Sequence, residues 1–238
     1  MADPYSLRLI PASCLIIPVL TSTCLIRRLA LASVLFAAGC QALGIAANAM
    51  PRPPVPPKVV LANNTVGVMV WCDRGLRVDW PSIQKDLGNG VQVRLLEAQK
   101  AKAKELDNVT FPFPTESFIR WQRDHPGSEY EPITTIAPRL HVSRLIYVEI
   151  TDLSTRSTQT MALYRGSARA TVKVIECPPG ASAGTVIYEE HDVRVVFPKK
   201  SNEEGRPEGT DEKMYVGTMT FLADELAKRF VEHPAEDD

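Results

Sequence analysis

Apolar and polar residues alternate most regularly between positions 161 and 176. Ala162, Tyr164, Gly166, Ala168, Ala170, Val172 and Val174 share one face, while Arg165, Ser167, Arg169, Thr171 and Lys173 share the other. A period of two marks an antiparallel strand that is packed on one side and wet on the other. The small residues at 166, 168 and 170 predict close approach of a helix. Pro178-Pro179-Gly180 begins a turn, and residues 185 to 197 read as the returning strand, ended by Pro198. Residues 144 to 151 open this meander. An earlier run, Val66 to Cys72, is apolar without alternation, as expected of a strand covered on both faces.

Helical spacing appears twice. Ile83, Leu87, Val91 and Leu95 form one stripe, with Asp79 as the expected N-cap, Pro81 in the first turn and the end near Lys102. Gly88 and Gly90 cost such a helix up to ~1 kcal/mol each relative to alanine, and their missing side chains would let it lie close to the sheet. Met219, Leu222, Leu226 and Phe230 form the second stripe, near the end of the chain. Between these, Thr115 is placed to cap a short helix through Phe118, Ile119 and Trp121 that stops at His125-Pro126. A brief turn is expected over 132–140. The order β-α-(short helices)-β-β-β-α predicts an α/β (α+β) two-layer sandwich: a mixed sheet of about four strands with two long helices on one face. This single domain would span residues 58–233, with a disordered tail at 234–238.

The N-terminal region has a different character. Arg27-Arg28 precede a short apolar run that ends in Ala38-Gly39-Cys40. The run is too short to span ~30 Å of hydrocarbon as a stable helix. A basic start, an apolar stretch and small residues before a cut describe an export signal. The ending in small residues and Cys40 closely resembles the bacterial lipoprotein signal, with Ala37 where a branched aliphatic residue is usual. The resemblance implies cleavage before Cys40 and acylation of its thiol. Two or three chains at ~0.8 kcal/mol per buried CH₂ would hold the protein on a membrane effectively permanently. Gln41 in place of Asp implies the outer membrane, facing the periplasm. Residues 1–39 are thus read as signal peptide. Residues 1–26 precede the point where an ordinary signal would begin, so the expected start lies just before Arg27. From Cys40 to residue 57 runs a tether with five prolines between Pro51 and Pro57. As polyproline at ~3.1 Å per residue, those last seven positions span roughly 22 Å.

Composition narrows the function. The chain has 45% apolar and 23% charged residues, ordinary values for a globular domain. Loss of residues 1–39 removes Arg8, Arg27 and Arg28 against Asp3, and leaves 24 basic and 27 acidic residues, a net of −3. No basic surplus remains for a phosphate backbone, so nucleic acid is not an expected partner. There is no G-x-S-x-G, Walker loop, H-E-x-x-H or C-x-x-C, and no cofactor or metal site is implied. His125, His141, His191 and His233 lack ligand spacing. The run Glu189-Glu190-His191-Asp192 would split across two strand faces, and reads as a solvated strand end or bulge.

Cys72 and Cys177 would remain after processing, in an oxidising compartment where a bridge closing so long a loop is worth up to ~4.7 kcal/mol. Alternation sets them on opposite faces, which argues against the bridge, although twisted strand ends leave it open. The element order resembles the small α/β domains of penicillin-binding-protein activator lipoproteins and of the curli secretion lipoprotein. Leu163-Tyr164-Arg165-Gly166 and Phe221 to His233 carry a further resemblance to a set of bacterial lipoproteins. The leading expectation is a lipid-anchored envelope domain with a non-catalytic binding or assembly role, meeting a protein partner through Arg165, Arg169, Lys173, Trp71 and Trp80. Alternatives are an envelope hydrolase using Glu149, Asp152 or Glu190, and a lipid or glycolipid carrier with a groove between sheet and helices.

Overall fold

The computed structural model describes residues 53–199 and 205–235. The signal peptide, Cys40, the tether up to Arg52, part of the charged loop after β4 and the last three residues lie outside them. The elements in chain order are strand β1 (Val66–Cys72), helices α1 (Arg74–Asp79), α2 (Ile83–Lys100), α3 (Thr115–Asp124) and α4 (Ile133–Ile136), strands β2 (Arg144–Arg156), β3 (Tyr164–Glu176) and β4 (Thr185–Phe197), and helix α5 (Asp211–Ala227). The sheet order is β1-β2-β3-β4. β1 runs parallel to β2, and the other pairs are antiparallel. The expected mixed α/β architecture is therefore present.

The helix-side core follows from the two spacings. Val66, Val68, Val70 and Cys72 of β1 join Ile146, Val148 and Ile150 of β2, and Ala168, Ala170, Val172 and Val174 of β3. Against them lie Ile83, Leu87, Val91 and Leu95 of α2 and Met219, Leu222 and Leu226 of α5. Phe230 is fully buried in the turn beyond the end of α5. Gly166 does admit a helix, since a Cβ there would run into Thr218 of α5. Gly88 and Gly90 have a different use from the one expected. They open α2 toward Thr115 of α3 and Ala223 of α5, so helices approach helices rather than the sheet.

Two caps differ from expectation. Asp79 ends α1 instead of capping α2, whose N-cap is Ser82. Asp73 caps α1, its carboxylate accepting from the Leu76 N–H at 2.8 Å. Thr115 is the first helical residue of α3, with Pro114 at the cap.

A second, smaller cluster covers one end of the opposite sheet face. Met69, Leu145, Ile175 and Cys177 meet Phe118 of α3, Ile136 of α4, and Ala137, Leu140 and Val142 after it. The face expected to be wet is thus covered at the Ile175 end, and open where Arg169 is exposed.

The proposed bridge between Cys72 and Cys177 is not formed; both thiols are free and buried. They belong to clusters on opposite faces. They also lie at opposite ends of the sheet, because Val66 pairs with Arg144 and Arg144 with Glu176. Cys72 is six residues farther along β1, roughly 20 Å at ~3.3 Å per residue. A bridge needs Cα atoms within about 7 Å. Burial pushes both thiols up to about 11.

The sheet edges are also unlike. On the β1 edge, the side-chain amides of Gln84 and Gln122 both donate to the Val70 carbonyl, at 2.8 and 3.1 Å. The Val66 N–H donates to the Thr110 carbonyl at 2.8 Å, so the β1 edge is closed by side chains and loop. On β4, His191 and Asp192 together oppose Thr171, with Asp192 at φ 61°. This bulge, as the sequence suggested, bends an exposed charged edge away from further pairing. The proline-rich segment is partly seated on the domain: Val55 bridges to His233, and the Lys58 N–H donates to the Arg229 carbonyl at 2.7 Å.

Candidate functional site

Where the second cluster stops, the outer sheet face forms a cleft of about 260 Å³. Its floor comes from strand register. Met69, Tyr147, Lys173 and Glu189 form one row across the four strands, and Trp71, Glu149 and Thr171 form the next. The walls are Gln122 at the end of α3, then Ser128, Glu129 and Glu131, and Ile133 and Ile136 of α4. Gln122 is fixed by accepting from the Gln84 amide at 2.8 Å while donating to Val70.

The charges are arranged unevenly. Glu129 is held by Arg77 of α1 at 3.0 Å. Glu131 is held by both ends of the Arg139 guanidinium. Lys173 pairs along its row with Glu189 at 2.7 Å, and His191 stands 3.2 Å from the same carboxylate. The hydrogen bond from Lys173 holds the Glu189 carboxyl below its usual range. Glu149 has no ion pair or hydrogen bond among the described residues, and the Tyr147 hydroxyl has no hydrogen-bond partner there. Burial, and then the charge of Glu149, push the Tyr147 hydroxyl well above its ordinary value. The cleft therefore offers two aromatic side chains, apolar walls and one unneutralised carboxylate.

The structure divides the surface proposed from sequence. Trp71 and Lys173 meet in the cleft. Arg169 is exposed on the same face, four residues back along β3, and Arg165 is half-buried nearer the start of that strand. Trp80 lies apart from these: it stacks on Tyr215 of α5, with ring centroids 4.5 Å apart and an 8° interplanar angle, and packs half-buried against the helix-side core. Trp121 stacks on His125, at 4.4 Å, and packs against the smaller cluster.

Of the three carboxylates considered for hydrolysis, only Glu149 lines the cleft. Glu190 lies on the helix side, bound by Arg229 at 2.8 and 3.1 Å and by the Tyr188 hydroxyl. The Arg229 hydrogen bonds hold its carboxyl below the usual range. The interior that a lipid carrier would keep open is filled by Leu87, Val91, Val148, Val172 and Leu222, all fully buried. Tyr147 was missed from sequence. Its signal was the β2 alternation, which sets Tyr147 and Glu149 opposite Ile146, Val148 and Ile150.

No protein-family model matches the chain, and no curated protein does. Among solved structures, the PelC dodecamer from Paraburkholderia phytofirmans is similar at a TM-score of 0.36 and 9% identity, over 74% of this chain and 96% of that one. A single-residue variant of the same dodecamer gives 0.37 and 10%, over 74% and 94%. Neither value shows a shared family.

Proposed function

We propose that this is a lipid-anchored domain of the bacterial cell envelope that binds a protein partner through the open part of its sheet, without catalysing a reaction. The observation that carries the binding reading is the cleft. Trp71 and Glu149 line it one row past Met69 and Tyr147, and Trp71, unlike Tyr147, packs against neither hydrophobic cluster. Tyr130 adds to this: it stands 90% exposed, and its chain neighbours Glu129 and Glu131 line the cleft. Exposed aromatic residues around a partly desolvated pocket are the usual anchors of protein interfaces. The anchoring reading rests on the signal that ends at Cys40, and the outer-membrane preference on Gln41.

Two measurements test the two halves. Metabolic labelling with a palmitate analogue should mark the wild-type chain and leave Cys40→Ala unmarked; an unmarked wild type refutes the anchor. Affinity purification from detergent-solubilised envelopes should recover a reproducible partner. The doubly substituted Trp71→Ala, Tyr130→Ala chain should recover at least about tenfold less, the effect of truncating anchor residues. Equal recovery would remove the cleft from the function.

A further inference from the structure

We infer that the cleft receives a cationic side chain, lysine or arginine, presented by the protein partner. This rests on the binding reading above and names its chemistry.

Four carboxylates line or border the cleft. Glu129 has Arg77, Glu131 has Arg139 and Glu189 has Lys173. Among the described residues Glu149 has no cation. It is half-buried, beside Tyr147 and across from Trp71 in the β1–β2 register. A carboxylate taken partly out of water without a partner is costly, and a cation entering the cleft recovers that cost. The surroundings suit the rest of such a side chain. An ammonium or guanidinium is attracted to the faces of Trp and Tyr. The methylene stem of lysine or arginine packs on apolar surface, which Met69, Ile133 and Ile136 supply.

Size and charge disfavour other occupants. At about 260 Å³ the cleft lies below the ~300–1,000 Å³ usual for drug-sized ligands, and it suits one long side chain. An anion would meet three lining carboxylates, and the one lysine of the floor is already committed to Glu189. A neutral sugar would stack on Trp71 but leave the charge of Glu149 unanswered.

The test is a titration of the full chain, purified in detergent micelles, with Nα-acetyl-lysine amide and Nα-acetyl-arginine amide as probes, followed by amide and indole chemical shifts. Nα-acetyl-norleucine amide, which lacks the charge, and cellobiose, a neutral sugar, are the comparisons. Saturable shifts at the Trp71 indole and the Glu149 amide are expected for one or both cationic probes, on the order of millimolar affinity. Norleucine amide should bind at least about tenfold more weakly. Glu149→Gln should lose a similar factor while keeping the wild-type melting temperature, and Trp71→Leu should weaken binding about threefold. Equal response to lysine and norleucine, or undiminished binding by Glu149→Gln, overturns the inference. So does a response to cellobiose alone. Failure here with partner recovery intact would remove only the cationic anchor and leave the binding face standing.

Discussion

On one side of the sheet, Val68, Val70, Ile146, Val148, Val172 and Val174 meet two long helices, and the residues between are closed to solvent. On the other side, Met69, Leu145 and Ile175 meet only a cover of short helices and turns from residues 115 to 142. That cover stops short. The row past Met69 and Tyr147 holds Trp71 and Glu149; Trp71 packs against neither hydrophobic cluster, and Lys173 beside them is paired with Glu189. The difference teaches where to look for function. A face sealed by periodic helices owes its composition to packing, whereas the aromatic and charged residues beside a partial cover are what the proposed partner face rests on.

The comparison can be broken by substitution. The largest effect is expected at Leu222, fully buried on the core-facing side of α5. Leu222→Ala should cost about 3–5 kcal/mol, read as a fall in the denaturation midpoint. Beneath the thinner cover, Ile136→Ala should cost about 2 kcal/mol, because short elements relax into the space more readily. It should also raise hydrogen exchange locally over residues 126–143 without touching α2. Equal costs and equal spread would mean that the two faces are not distinct in stability.

A third effect separates the faces by pH. Glu190 is held below its usual range by Arg229, so its stabilising contribution is complete above the unfolded value of ~4.3 and is lost as pH falls through the lower folded value. Glu190→Gln should therefore cost about 1 kcal/mol at pH 7 and flatten the loss of stability below pH ~4. The smallest effect belongs to the cleft. Glu149→Gln should change stability by less than about 0.5 kcal/mol at pH 7, because no partner group is orphaned by it.

Much of the helix-side structure was legible because it is periodic. The β3 alternation and the four-residue spacing of Ile83 to Leu95 each name a face, and both faces are buried as read. The cover was not legible. Phe118 and Ile136 sit on helices of 10 and 4 residues, too short for spacing to say which side of the sheet they meet. Trp80 shows the same limit, since its stacking on Tyr215 joins positions far apart in the chain. Trp71 and Lys173 were picked out by residue type and strand parity, and the structure brings them to one cleft. The ion pairs that leave Glu149 alone depend on Arg77 and Arg139, whose positions follow from α1 and from the turn after α4. No linear pattern contained them.

The central claim is that the partly covered face, and not the helix layer, meets the partner. A photo-crosslinking amino acid at Tyr130, exposed between the cleft-lining Glu129 and Glu131, can be compared in intact envelopes with one at Val216, 55% exposed on α5. The account predicts a discrete, reproducible adduct from position 130 and none from position 216. An adduct from the helix layer with nothing from position 130 would contradict it.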